Sequence, residues 1–238
     1  YVDQVIQDFR CNEWEGARPE LAELAQTFVG GTLVALEALL AGETLTAVHL
    51  PGAKHHAQYD HSYGFCVFAD FAIAAHIATS LGHKVAIFDF DAHHGDGTEN
   101  LCADNPNILT FSVHENGIFP HTGHNDDVSK HVYNRPLTTG LSDWSFADDV
   151  RLVDAGLEFG RLASEFGADM LFVAAGADGH FSDPLSSLRY SPGVVCKTMA
   201  NLRNYFPDTP VLVGGAGGYQ PDGGTPEMWA HTVQGLVG

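Results

Sequence analysis

Lys84-Val-Ala-Ile-Phe-Asp-Phe-Asp-Ala-His-His-Gly-Asp-Gly97 is the stretch that decides how the chain folds. From Lys84 to Phe90 it is a nearly continuous apolar run, the pattern of a strand covered on both faces of a parallel sheet. Outward from it the pattern repeats. Thr46 to Leu50, Ile108 to His114, Met170 to Ala175 and Val211 to Val213 read as further strands. Between them apolar residues recur at helical spacing: Pro19 to Leu40 with Gly42 as a stop, Phe71 to Leu81 ended by Gly82, Phe146 to Phe166, Val194 to Tyr205, and a closing Pro226 to Leu236. Strands alternating with helices, without a linker, repeat or low-complexity tract, predict a single α/β domain over 1–238 with three α/β/α layers and a central, mainly parallel sheet.

Ligands in such sheets bind outside the carboxyl ends of the strands. Four predicted strand ends are rich in glycine and polar residues: Pro51 to Ala57, Asp89 to Gly97, Gly176 to His180 and Gly214 to Tyr219. Asp91 and His93 are two apart, so in an extended segment they share a face and can grip one cation, with Asp178 from another strand end as third ligand. Two carboxylates and an imidazole suit a divalent ion such as Zn²⁺, with Fe²⁺ the alternative, and leave a coordination position for water and substrate. The tandem His55 and His56 are candidate general base and electrostatic catalyst, each steered by a carboxylate, for which Asp89 and Asp96 are placed. Tyr219 is a candidate hydrogen-bond donor to a polarised carbonyl.

Composition narrows the partners. There are 30 Asp+Glu against 11 Lys+Arg, a formal charge of −19, and 14 histidines. Charged residues make up 17% of the chain, so the acidity reflects scarce Lys and Arg rather than abundant carboxylates. A surface so poor in cations disfavours direct nucleic-acid binding and favours cationic partners. The scattered Cys11, Cys66, Cys102 and Cys196 contain no Cys-x-x-Cys and read as reduced, mostly buried thiols. Without a signal-type start or a long uninterrupted apolar run, the expectation is a cytoplasmic protein with no membrane association.

These residues carry a family resemblance. Asp89 to Thr98 resembles the metal motif of the histone deacetylase superfamily, and His55-His-Ala57 followed by Gly64-Phe-Cys66 resembles its tandem-histidine segment. Phe111 to Glu115, Phe119 to Gly123, Gly176 to His180 with Asp183-Pro-Leu185, and Gly217-Gly-Tyr219 follow in the family's order. The resemblance runs from roughly residue 20 to the end. Pro51 to Ala57 and Met228 to His231 are most similar to bacterial deacetylases of the acetoin-utilisation type.

The resemblance implies the arginase/deacetylase-like fold and removal of acetyl or short acyl groups from the lysines of an acetylated protein or peptide, or from an acetylated polyamine. It implies zinc on Asp91, His93 and Asp178, with His55, His56 and Tyr219 catalytic and Asp89 and Asp96 behind the histidines. Phe65 and Phe119 would line an acyl-lysine tube kept open by Gly64 and Gly217. K⁺ would lie among Asp89, Asp91, His93, Ser112 and Val113, and an acidic rim residue near Glu13 or Glu15. The family's first strand has no counterpart before Tyr1, so the chain reads as a fragment. His121 stands where the family usually has glycine, and Arg135 where an apolar residue is common. Two other readings remain: an arginase-like hydrolase with two Mn²⁺, opposed by Gly179-His180 following Asp178 where a second Asp is expected, and a non-catalytic acyl-lysine binding module, opposed by a full set of catalytic groups.

Overall fold

The computed structural model describes residues 1–139 and 146–238. Six strands, β1 (Thr46–His49), β2 (Val85–Asp89), β3 (Ile108–Glu115), β4 (Val132–Leu137), β5 (Met170–Ala174) and β6 (Val211–Gly214), form one sheet in the order β1-β6-β5-β2-β3-β4. Every pairing between these strands is parallel. Helices α1 (Val2–Ile6), α2 (Pro19–Leu40), α3 (Asp70–Ser80), α4 (Asp96–Cys102), α5 (Phe146–Phe166), α6 (Pro192–Tyr205) and α7 (Gly224–Val237), with a short 3₁₀ helix at Val128–Lys130, complete the described elements.

The alternation along each strand splits the core in two. Val85 and Ile87 face the layer of α2, α3 and α4, with Phe71, Phe172 and Leu212. Ala86 and Phe88 face α5, α6 and α7, with Phe111, Phe159, Val195 and Met199. The Phe88 and Phe159 rings stack at 4.9 Å between centroids, an arrangement that adds about 0.5–1.5 kcal/mol beyond its buried area. The helices therefore cover both faces, which is why the strands read as apolar runs rather than as alternating ones.

The predicted helices and strands are present, with ends displaced by up to two residues. Helix α6 starts at Pro192 rather than Val194, because Ser191 accepts the Val194 N–H at its N-cap and Pro192 is suited to the first turn. Helices α1 and α4 and strand β4 are additional. Strand β4 lies at an edge, where Pro136 is tolerated opposite His114 despite its missing N–H. Helix α2 is by length and composition long and apolar enough to cross a membrane. In this fold its Leu21, Ala25, Leu36 and Leu39 are buried against the domain.

Strand order fixes where a ligand can sit. From β2 the chain moves outward through β3 to β4, whereas β5 lies on the other side of β2 and leads to β6. The order reverses between β2 and β5, and the crevice beyond their carboxyl ends is the sheet's topological switch point.

Candidate active site

Strand β2 delivers Asp91 and His93 to that crevice, and β5 delivers Asp178. Their ligand atoms all lie within 4.8 Å of one another, and among the described residues these three form the one such cluster. Asp91 and Asp178 are fully buried. His93 Nδ1 points at both, 2.8 Å from Asp178 Oδ2 and 3.2 Å from Asp91 Oδ1. Further donors fix each carboxylate: Ala92 N–H donates to Asp178 Oδ1 (2.9 Å), and His93 N–H and Gly217 N–H donate to the two oxygens of Asp91 (2.8 and 2.7 Å).

The electrostatics of this triad fit a cation. Burial and the charge of Asp91 push Asp178 up to about 7. Asp91 is itself held well below the usual carboxylate range, because His55 and His93 outweigh its burial. Two carboxylates at one buried point do not ionise together without a counter-charge. Burial would lower His93, but its bonds to Asp178 and Asp91 prevail and raise it to about 10. Its Nδ1 thus either carries a proton between two carboxylates or gives its lone pair to a cation in the same place. Space points the same way, since a Cβ on Gly217 would stand 2.6 Å from Asp178 Oδ2 and 2.8 Å from Asp91 Oδ2. Only glycine leaves the ligands where they are.

The loop after β1 carries the tandem histidines, their rings 4.1 Å apart. His55 Nδ1 donates to Asp89 Oδ2 at 2.7 Å and His56 Nδ1 to Asp96 Oδ1 at 2.6 Å, the pairings expected from sequence. Asp96 also accepts from Gln58 Nε2 (2.9 Å). The loop itself hangs on the buried Asp70, which accepts the Ala53 and Lys54 N–H groups (2.9 and 2.7 Å) and the Thr32 hydroxyl (2.5 Å). Ala53 has a φ of 62°, so this bend in the left-handed region is maintained by outside contacts.

A cavity of about 370 Å³ opens above the triad, lined by Glu13, His56, Tyr63, Gly64, Phe65, His93, Ile118, Phe119, Leu185 and Tyr219. Phe65 and Phe119, the two aromatics named from sequence, both line it. Gly64 is required by its φ of 55° and by the His56 ring, which occupies the place of its absent Cβ. Gly217 is placed differently from expectation: it lies against the two carboxylates and lines an adjoining cavity of about 390 Å³ with Leu50, Lys54, His55 and Trp229. The backbone must pass close to the carboxylates there, so the glycine serves the ligands rather than the tube's bore.

Tyr219 lies at the junction of the two cavities, its ring edge-on to Phe65 at 6.5 Å. Burial, with the charges of Asp91 and Asp178, drives its hydroxyl well above the ordinary tyrosine range, so it remains a proton donor.

Of the two acidic rim candidates, Glu13 lines this cavity. Its Oε1 accepts the Phe65 N–H at 3.2 Å, and its buried Oε2 has no hydrogen-bond partner among the described residues. No local signal distinguishes Glu13 from Glu15. The choice is made by Asn12, which clasps Ser62 through three hydrogen bonds 50 residues away and brings Glu13 to the cavity. Tyr63 and Leu185 also line the cavity; neither was assigned a role from sequence, although Tyr63 adjoins the Gly64-Phe-Cys66 motif and Leu185 ends the Asp183-Pro-Leu185 motif. His94 is a bonding residue, paired with Thr122 Oγ1 (2.8 Å) and Glu99 Oε2 (2.9 Å). Among the residues expected around K⁺, β2–β3 pairing sets Asp89 beside Ser112. Asp89 Oδ1 accepts the Asp91 N–H (3.0 Å), and the Ser112 hydroxyl meets His114 Nδ1 (2.9 Å). His180 lies outside the cluster of ligand atoms formed by Asp91, His93 and Asp178; its Nδ1 meets Ser182 Oγ at 2.8 Å, and its buried Nε2 has no hydrogen-bond partner among the described residues.

Known proteins match this frame. The histone deacetylase domain model matches residues 6–236, beginning well before the expected residue 20 and so taking in Glu13. The acetoin utilization protein AcuC of Staphylococcus aureus (strain Mu50) is 32% identical over 238 residues, covering 95% of this chain and 60% of that protein. The AcuC of Bacillus subtilis (strain 168) is 33% identical over 220 residues, covering 88% of this chain and 56% of its own length. The chain thus spans less than two thirds of the curated relatives it matches. With the domain match running almost from end to end, on a sheet whose switch point holds the motifs that carried the resemblance, the chain belongs to the histone deacetylase family.

Proposed function

We propose that the protein is a metal-dependent amidohydrolase that removes acetyl or another short acyl group from lysine side chains. The observation that carries this reading is the meeting of four features at one point: a buried Asp-His-Asp cluster, two Asp-steered histidines, a tyrosine kept protonated by its surroundings and a largely apolar cavity of about 370 Å³. Asp91, His93 and Asp178 would hold the divalent ion, Zn²⁺ or Fe²⁺. When bound there, such an ion polarises the amide carbonyl and acidifies a water.

The chain's own residues do the rest. With its Nδ1–H committed to Asp96, His56 presents Nε2 as the proton acceptor. Burial and the charge of His55 lower its pKa to about 4, so it is neutral at physiological pH and able to take a proton from the attacking water. The same Nε2 can return that proton to the leaving amine. His55 is pulled down by burial but raised more strongly by Asp89 and Asp91, reaching about 9, and acts as a fixed positive charge beside the reacting centre. The Tyr219 hydroxyl donates to the carbonyl oxygen as negative charge grows on it. The aromatic walls, Phe65, Phe119 and Tyr63, exclude water from the stem.

A second reading shares this chemistry with a different substrate, an acetylated polyamine or other small cationic amide. It is favoured by the Glu13 oxygen left without a partner at the cavity, on a chain of net charge −19. A turnover panel of acetyl-lysine peptides, longer acyl-lysines and acetylpolyamines on Zn²⁺-loaded protein tests both. Turnover by the parent with a loss of about 10²–10³ in kcat for Tyr219→Phe is expected. No turnover of any acyl amine, or full activity in Tyr219→Phe, would overturn the mechanism.

A further inference from the structure

Tyr219 is the proposed catalytic group least held by its own side chain. It ends the run Gly214-Gly-Ala-Gly-Gly-Tyr219, in which Gly215, Gly217 and Gly218 offer no side chain to pack. Its aromatic neighbour Phe65 is itself largely exposed. The position of its hydroxyl is therefore set through its backbone. Hydrogen bonds pin the run upstream at Gly215 and Ala216, whose N–H groups reach Leu50 and Gly52 C=O (3.0 and 3.1 Å), and at Gly217, whose N–H donates to Asp91 Oδ2 (2.7 Å) and whose C=O accepts the Ala177 N–H (2.7 Å). The tyrosine's own amide is held by one side chain. Asp183, only 6% exposed, accepts the Tyr219 N–H on Oδ2 at 2.8 Å. Its other oxygen, Oδ1, accepts the Leu185 N–H at 3.0 Å, and Leu185 lines the acyl cavity along with Tyr219.

We infer that Asp183 is a positioning residue for the reaction: one buried carboxylate, from the loop after β5, sets both the tyrosine hydroxyl and the Leu185 wall of the acyl cavity. The inference rests on the reading of Tyr219 as the hydrogen-bond donor. Both oxygens of Asp183 face N–H donors, so asparagine can satisfy only one of them and turns its own NH₂ against the other. The near-isosteric change thus loosens the clamp without opening a cavity. A displacement of about 1 Å at a reacting group is enough to cost on the order of 10²-fold in rate.

The test is a double-mutant cycle on the full, Zn²⁺-loaded chain with an acetyl-lysine peptide, reading kcat, KM, metal content and melting temperature. Asp183→Asn is expected to keep its metal and to lose about tenfold or more in kcat, with KM changed less than about threefold. In the Tyr219→Phe background the same substitution is expected to lower kcat less than about twofold, because the hydroxyl it positions is gone. Equal losses in both backgrounds, or an unchanged kcat in the single variant, would overturn the inference. If Asp183→Asn does not fold, Asp183→Ser enters the same cycle with the same criteria. Full activity of Tyr219→Phe would instead overturn the role of the tyrosine, an outcome distinct from the failure of Asp183→Asn alone.

Discussion

His55 and His56 are neighbours in sequence, both are buried, and each donates through Nδ1 to an aspartate at nearly the same distance, 2.7 and 2.6 Å. Yet they differ in charge. His55 Nε2 looks inward to Asp91, 3.7 Å away, and the surrounding carboxylates raise it to about 9. His56 turns to the cavity walled by Phe65 and Phe119, its ring perpendicular to that of Phe119 at 5.0 Å between centroids, and burial with the His55 charge lowers it to about 4. One sequence signal, histidine plus aspartate, thus yields a cation and a neutral base. What separates them is the density of negative charge that the fold assembles around each ring.

This comparison can be broken by experiment. The largest effect is expected for His56→Ala, which removes the proton acceptor and lowers kcat by about 10²–10⁴. His55→Ala should cost less, because it removes a stabilising charge and leaves the base in place. Equal losses would mean that the two rings are not divided in role.

A finer test uses pH. The positive charge of His55 is one of the causes that depress His56. Removing it by His55→Asn should raise the His56 pKa toward its ordinary value of about 6.5. Below its pKa His56 is protonated and accepts nothing, so the acid limb of the kcat profile should move to higher pH. An unmoved limb would show that His55 carries no charge in the working protein.

The smallest effect belongs to a position outside both pairs. His121 stands where the resemblance led us to expect glycine, and its φ of 64° shows why, since the left-handed region strains a side-chain-bearing residue. His121→Gly should leave kcat within about twofold and relieve up to about 1 kcal/mol of strain, measured as a raised melting temperature. A large fall in kcat would bring this loop into the site.

The parts legible in the sequence are those whose signal is local. The apolar run from Val85 to Asp89 and the Asp-x-His spacing beyond it needed no knowledge of the rest of the chain. Strand β4 was not legible, because Asn134, Arg135 and Pro136 interrupt its apolar pattern, and only an edge position, paired on one side, accommodates them. Helix α4 was hidden for a related reason: Asp96-Gly-Thr-Glu-Asn-Leu-Cys102 is a weak helix former shaped by its work beside His56. At the site, the ligands and the His–Asp pairs followed from motifs. Asp70 did not, Glu13 was one of two candidates and Asp183 only a motif position, since the contacts of all three with backbone N–H groups are created by the assembled fold.

The central claim is that Asp91, His93 and Asp178 hold one divalent ion. It is tested most directly by the metal content of the protein after loading with Zn²⁺ and removal of excess, in the parent and in Asp178→Asn. The account predicts about one ion per chain in the parent, as expected for a catalytic site with three protein ligands. Asp178→Asn should lose most of it while keeping the far-ultraviolet circular dichroism of the parent. Two ions per chain, none in the parent, or full retention by Asp178→Asn would contradict it.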